Sequence, residues 1–385
     1  MAPLPDESQQ DFALVERISP GVHGYERTTR QRTLSVLQYL LATWLPLVIL
    51  SGISGLLWPG IVKLPFFHDP EVQARFLFVL PLLELGKVIV GRSLVAQANQ
   101  FLRVGLIPKE FVPRFQAVQA WAVAWRESKF ILAVTLVLSV ALAIYTRVAL
   151  GFSAGSSSWE RVSGMITPAG WWYMLVSLPV LYFMLLRWVW IFFLWGAFLF
   201  GVSRIPLNLT ATHPDRSGGI GFLGWGLSSF SSVLMAVSAV VSAALAEEIL
   251  HRGESIDSLK YHVIVFAISS MVILHAPLLA FSGQLSRCRF QGLLEFGKLV
   301  WEHDRDFEAK WIEKRPQESL LGSADVQTLA SAATAYEHVD RMWLLPLDVK
   351  ACVTLFLAIL IPMIPLLGTA IPLNEIFMKL MELVI

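Results

Sequence analysis

Long apolar runs separated by short polar connections set the pattern of the chain. Residues 1–33 are polar and carry Arg17, Arg27, Arg30 and Arg32 up to the first run, residues 37–58. A run of that length covers a hydrocarbon core of about 30 Å at a helical rise of about 1.5 Å per residue. Further spans are predicted over residues 76–96, interrupted by Glu84 and Lys87, and over 130–150, 171–203, 228–249 and 261–281. A last one covers 350–371 and contains Pro362 and Pro365. As a straight helix the 171–203 run would be roughly 50 Å long, so it must tilt, kink at Pro179 or protrude. Backbone groups in hydrocarbon must be satisfied within their own segment. The expected fold is therefore all-α: a polytopic transmembrane helix bundle of about seven spans.

The longest connection reads as a cytoplasmic helical hairpin. Leu293, Phe296, Val300, Phe307 and Trp311 recur at helical spacing as the 261–281 span runs on, up to Pro316. Ser323 offers an N-cap with Asp325 in the first turn, and Val326, Leu329, Ala333, Tyr336 and Val339 form one stripe up to Pro346. Near the C-terminus, Leu373, Ile376, Phe377, Leu380, Met381 and Val384 face away from Asn374, Glu375, Lys379 and Glu382, the pattern of a helix lying in the membrane interface. The divisions are a cytoplasmic N-terminal segment (1–36), a six-span bundle (37–283), the hairpin (284–349), and the seventh span with its amphipathic helix (350–385). No internal repeat is evident, so an inverted-repeat transporter is not implied.

Lysine and arginine set the orientation. With the N-terminus inside, cytoplasmic segments hold about three times as many as the opposite side, which carries only Lys63, Arg75, Arg147, Arg161, Arg252, Lys260 and Lys379. This predicts a cytoplasmic N-terminus and an outside C-terminus. No apolar h-region with a cleavage site precedes residue 37, so the first span is expected to direct insertion. Composition agrees with a membrane class: 55% hydrophobic, 15% charged, mean hydropathy +0.61. A net charge of +1 gives no footprint for nucleic acid. Cys288 and Cys352 are far apart and lack metal-ligand spacing, so free thiols are expected, with no metal and no cofactor.

Four motifs occur in order: THPDRSGGIGFLG (212–224), APLLAFSGQL (276–285), FEAKWI (307–312) and LLGSADVQTLA (320–330). On these the chain resembles a family of uncharacterised bacterial multi-pass inner membrane proteins, from about residue 207 onward. The resemblance implies a bacterial inner membrane protein with this layout and supplies no activity.

Two sets of residues are candidates for function. Glu84 and Lys87 share one helix face, and Arg187 lies at the middle of its span. Charges at bilayer depth cost about 2.5–3.5 kcal/mol each on insertion scales and usually face a bundle interior or an aqueous cavity. They could line a conduit for an ion or small anion; the plainer alternative is a Glu84–Arg187 pair that only fixes packing. His275 joins this intramembrane set, either as a core histidine bonded near Pro277 or as a proton relay. The second set is the loop His213, Asp215, Arg216, Gly218 and Gly219, which could bind an anion through its backbone amides or simply be a capped turn. Gly219, Gly221 and Gly224 satisfy G-x-G-x-x-G, but no strand precedes them, so a dinucleotide fold is rejected. Ser228, Ser231, Ser238 and Ser242 share one seam, as in close helix packing.

EEILHR, with Glu247, Glu248 and Arg252, matches the E-E-x-x-x-R motif of intramembrane CAAX-processing-type proteases, with His275 downstream. Met271 stands where phenylalanine is usual there, no third motif follows, and the predicted topology makes Glu247 a solvated helix exit. Glu248 and His251 lack the second copy a di-iron bundle needs. The function expected is a channel- or transporter-like conduit or a transport-associated component in the lipid bilayer, as a homo-oligomer. A sensor or scaffold acting through the hairpin, and an intramembrane hydrolase, are the alternatives.

Overall fold

In the computed structural model, residues 29–150, 158–252, 256–314 and 323–366 are described, and nearly all are helical. The C-terminal amphipathic helix expected over 373–384, and the N-terminal segment before residue 29, lie outside them. Helix α1 is Thr29–Ile53. Pro70–Gln73, a π-helical stretch Ala74–Val79 and Leu80–Arg103 run on as α2. Val112–Arg126 is α3 and Lys129–Tyr145 is α4. A two-residue β-hairpin, β1 Arg161–Val162 with β2 Met165–Ile166, precedes α5, Pro168–Val202. After a loop come Phe222–Gly226 and α6, Ser231–Arg252. Ile256–His275 is α7, Ser282–Phe307 α8, Ala324–Asp340 α9 and Val349–Leu360 α10.

Six segments are long and apolar enough to cross a membrane: Leu34–Ile53, Lys129–Val148, Pro168–Val202, Phe222–Ile249, Lys260–Glu313 and Val349–Leu366. The seventh expected span is α2. It is a long helix that carries Glu84, Lys87 and Arg92, and one face of it is enclosed by the bundle, with Phe76, Val79, Leu80, Leu83 and Phe101 fully or almost fully buried. The chain is an integral membrane protein, and its side-chain distribution says why. On α4, Phe130, Leu132, Val134, Leu136, Val137 and Leu138 point outward, while the buried face is Thr135, Ser139 and Ala143. Large apolar groups outside and small or hydroxyl groups inside suit a hydrocarbon solvent; in water such a patch would drive aggregation. The hydroxyls cost little, because Thr135 donates to the Ile131 carbonyl and Ser139 to Leu136.

Two π-helical stretches have a local cause. Ala74–Val79 precedes Pro81 and Tyr173–Ser177 precedes Pro179, and each widened turn accommodates a ring that cannot donate to the carbonyl four residues earlier. The long α5 thus continues through Pro179 where a break would otherwise be expected. Close approach of α2, α5 and α6 is possible because Gly86 is bare: a Cβ there would meet Trp188 and Val233 at 3.0 Å. At the other end of the bundle, Phe101 sits 5.1 Å from Phe222, 6.1 Å from Phe115 and 6.2 Å from Phe281, binding four elements through one aromatic layer.

The 203–221 loop ties that end together. Asn208 N–H donates to the Leu106 carbonyl (2.9 Å), Gln284 Nε2 donates to the Ser203 and Ile205 carbonyls (2.6 and 2.8 Å), and Trp343 N–H donates to the Arg216 carbonyl (2.7 Å). Helices α8 and α9 form an antiparallel hairpin docked on it. Arg289 donates to the Asp340 carbonyl at 2.7 Å, and Lys310 pairs with Asp325 at 2.7 Å.

Candidate functional site

The intramembrane charges do not pair as Glu84 with Arg187. Glu84 is 8% exposed and its carboxylate accepts from Lys87, one helical turn on, at 2.5 Å. Arg187 turns instead to α3, where its Nη2 makes a long 3.5 Å contact with the carbonyl oxygen of Arg126. That carbonyl belongs to the last turn of α3, where main-chain oxygens lack intrahelical donors and the helix dipole favours a cation. Arg187 therefore acts as a C-terminal cap for a helix distant in sequence.

This arrangement brings Lys87, Arg126 and Arg187 to one cavity of about 440 Å³ between α2, α3, α4 and α5. Its remaining walls are almost wholly apolar, among them Leu94, Phe183, Met184, Trp188, Ile191 and Trp195, with Gln119 the additional polar side chain. Glu84 does not line it. A basic, mostly apolar cavity of this size, within the roughly 300–1,000 Å³ of small-molecule sites, can hold an anion that tolerates apolar surroundings. Nothing in the sequence pattern singles out Arg126 from the other basic residues between the second and third expected spans, apart from its place at the end of the helical VPRFQAVQAWAVAWR segment, beside the Glu127–Ser128 break.

His275 lies apart from this cavity. Its Nδ1 is 2.8 Å from the Met271 carbonyl oxygen and its Nε2 is 3.5 Å from Cys352 Sγ, at the start of α10. Of the serine seam, Ser238 donates to the Ile359 carbonyl (2.6 Å) and Ser228 to that of Trp225 (2.7 Å).

In the polar loop, Asp215 supplies the anion. Its carboxylate accepts from the amides of Ser217 (2.8 Å), Gly219 (3.1 Å) and Gly221 (2.8 Å), with His213 Nδ1 at 2.8 Å. Burial opposes its ionisation, but the three amide donors and His213 outweigh burial and hold it below the usual carboxylate range. Gly218 (φ +65°) and Gly219 (φ +98°) sit in the left-handed region, as does Arg216 (φ +55°), whose side chain is exposed. The amides that could have received a ligand are thus already engaged.

A third constellation went unnoticed in the sequence. At the far end of the bundle, Arg75 Nη1 and Arg147 Nη2 both donate to Tyr173 Oη, at 2.7 and 2.8 Å. Arg75 also pairs with Glu71, and Arg147 with Glu160 at 3.3 Å. Asp69 accepts from Trp159 Nε1 (2.9 Å) and the Val72 amide (3.1 Å). Glu247 is no solvated exit: its half-buried carboxyl lies beside that of Glu71. Four carboxyls thus face two guanidinium groups. Burial, with the Asp69 and Glu71 carboxylates, raises Glu160 to about 7 against the pull of Arg147. Burial and Glu71 likewise raise Asp69. Charges at helix ends look alike in a sequence whether solvated or enclosed, so only the i, i+4 spacing of Glu71 and Arg75 hinted at this.

The protease constellation is pulled apart. Glu247 sits by Glu71, and its neighbour Leu245 packs on Met363 and Leu366, whereas His275 contacts Cys352 near the opposite end of α10. Among the described residues no group of three or more His, Cys, Asp and Glu is placed to hold a metal ion. Comparison of the chain with family models, with curated proteins and with solved structures finds no match.

Proposed function

We propose that the protein is a transport-type component of the bacterial inner membrane, a channel- or transporter-like conduit or a part of one, with its N-terminus cytoplasmic. Its working cavity is the one between α2, α3, α4 and α5. The observation that carries this reading is the convergence of Lys87, Arg126 and Arg187 on a single cavity whose other walls are almost wholly apolar. Cations held at membrane depth are costly, and they are retained where they serve a ligand or a solvated path. An anion is the species this cavity favours. In proteoliposomes loaded with a small organic anion, release should exceed that of protein-free liposomes and fall at least several-fold in Arg187→Gln. Release indistinguishable from empty liposomes would overturn the proposal.

A sensor or scaffold role through the α8–α9 hairpin is the second reading. It is supported by the direct attachment of the hairpin to the 203–221 loop through Gln284 and Trp343. The hydrolase reading has no such support, since Glu247 and His275 lie apart.

A further inference from the structure

The cavity is polarised along its length, and this bears on which anion it takes. Arg126 and Arg187 lie together at one end, where Arg187 contacts the Arg126 backbone, and Lys87 lines the wall near them with its ammonium on Glu84 and 5.5 Å from the Tyr39 ring. From there the walls follow α2 from Lys87 to Ala98 and α5 from Arg187 to Phe198. That is about 16 Å along each helix at 1.5 Å per residue. Over this stretch the lining is apolar apart from Gln119. A small hydrated anion would leave its water shell against these walls with nothing to replace it beyond the charged end. A molecule with an anionic head and an apolar tail meets compatible surroundings along its whole length.

The mouth of the cavity suits the same kind of molecule. Val123 of α3 and Leu132 of α4 both line the cavity and are 44% and 47% exposed, and they flank the Glu127–Ser128 break between the two helices. The accessible edge of the cavity at this break is therefore apolar. At about 440 Å³ the space lies low in the range of roughly 300–1,000 Å³ for small-molecule sites, room for one apolar chain along the helices.

We infer that this cavity binds a single-chain anionic amphiphile of the fatty-acid class, its head held by Lys87, Arg126 and Arg187 and its tail laid along α2 and α5. The inference rests on the reading of this cavity as the working site and names its ligand class.

The test uses the full-length protein in neutral detergent with dansyl-undecanoate as the probe. Saturable binding is expected, displaced by oleate, and not by oleate methyl ester or inorganic phosphate. Arg126→Gln with Arg187→Gln should weaken it about tenfold or more, and Leu94→Trp, which fills the apolar end, should weaken it as well. Melting curves of each variant separate loss of the site from loss of the fold, and Arg187→Lys should recover part of the affinity. Displacement by phosphate alone would overturn the amphiphile while leaving an anion cavity. Equal displacement by the methyl ester, with no effect of the glutamine variants, would overturn both this inference and the anion reading. Displacement by dioleoyl phosphatidate and not by oleate would overturn the single-chain assignment. Anion release in proteoliposomes without any probe binding would sink the inference and spare the conduit.

Discussion

Arg187 caps α3 through the Arg126 carbonyl oxygen, 3.5 Å from its guanidinium, while the nearest acid in sequence pattern, Glu84, is held by Lys87. The two intramembrane charges that invite pairing therefore belong to separate interactions. In a double-mutant cycle of thermal stability, Glu84→Gln and Arg187→Gln should be additive within about 0.5 kcal/mol, as for independent sites. Glu84→Gln with Lys87→Gln should show coupling beyond that. A strong Glu84–Arg187 coupling would contradict the arrangement.

Asp215 should be the most sensitive residue of the 203–221 loop. Asp215→Ala removes the acceptor of three amides and should cost roughly 2–4 kcal/mol, from the cost of unsatisfied donors and lost charge-assisted bonds. Arg216→Ala, on an exposed side chain, should stay within about 0.5 kcal/mol. Arg216→Gly should be no worse, since its φ of +55° suits glycine. Because the pKa of Asp215 is depressed on folding, its stabilisation is present above the unfolded carboxylate value near 3.8 and fades as pH falls through the folded one. Denaturation midpoints of wild type and Asp215→Asn between pH 3 and 6 would check the sign.

Glu160 predicts the opposite slope. Its pKa rises from 4.5 to about 7 on folding, so the folded state holds the proton more tightly than the unfolded chain. Its favourable contribution is full below about pH 4.5 and is lost as pH rises towards 7. Wild type should lose stability over that window relative to Glu160→Gln, with little further difference above it. A wild-type curve parallel to that of the variant would contradict the protonation assigned to this cluster.

Much of the fold was legible from periodicity. Outward apolar faces on α4 and α7 follow the helical repeat of the sequence directly, whereas on α9 the buried residues are Ala332 and Val339, and Val326, Ala333 and Tyr336 of the expected stripe are exposed. The 76–96 run was legible as a helix, yet Glu84, Lys87 and Arg92 make it the least apolar of the expected spans, and its close packing on α5 and α6 depends on Gly86 meeting Trp188 and Val233. The candidate sites were legible only in part. Arg126 meets Arg187 across 61 residues, a relationship set by how α3 lies on α5 and carried by no local pattern. Glu71 and Glu247 meet for the same reason. In the loop, the pattern of aspartate followed by glycines was visible, but whether its amides would face a ligand or Asp215 itself depends on a backbone path that the left-handed Arg216, Gly218 and Gly219 define together.

The charge of the cavity can be measured directly. In a Cys288→Ser/Cys352→Ser background, Gln119→Cys would place a thiol on the cavity wall, where anionic and cationic methanethiosulfonates of similar size can be compared in reconstituted membranes. With Lys87, Arg126 and Arg187 lining the same space, the anionic reagent should react about tenfold faster than the cationic one once each rate is divided by that with a free thiol in solution, and the preference should collapse in Arg126→Gln/Arg187→Gln. Equal rates in the unsubstituted cavity, or faster reaction of the cationic reagent, would contradict an anion-handling site.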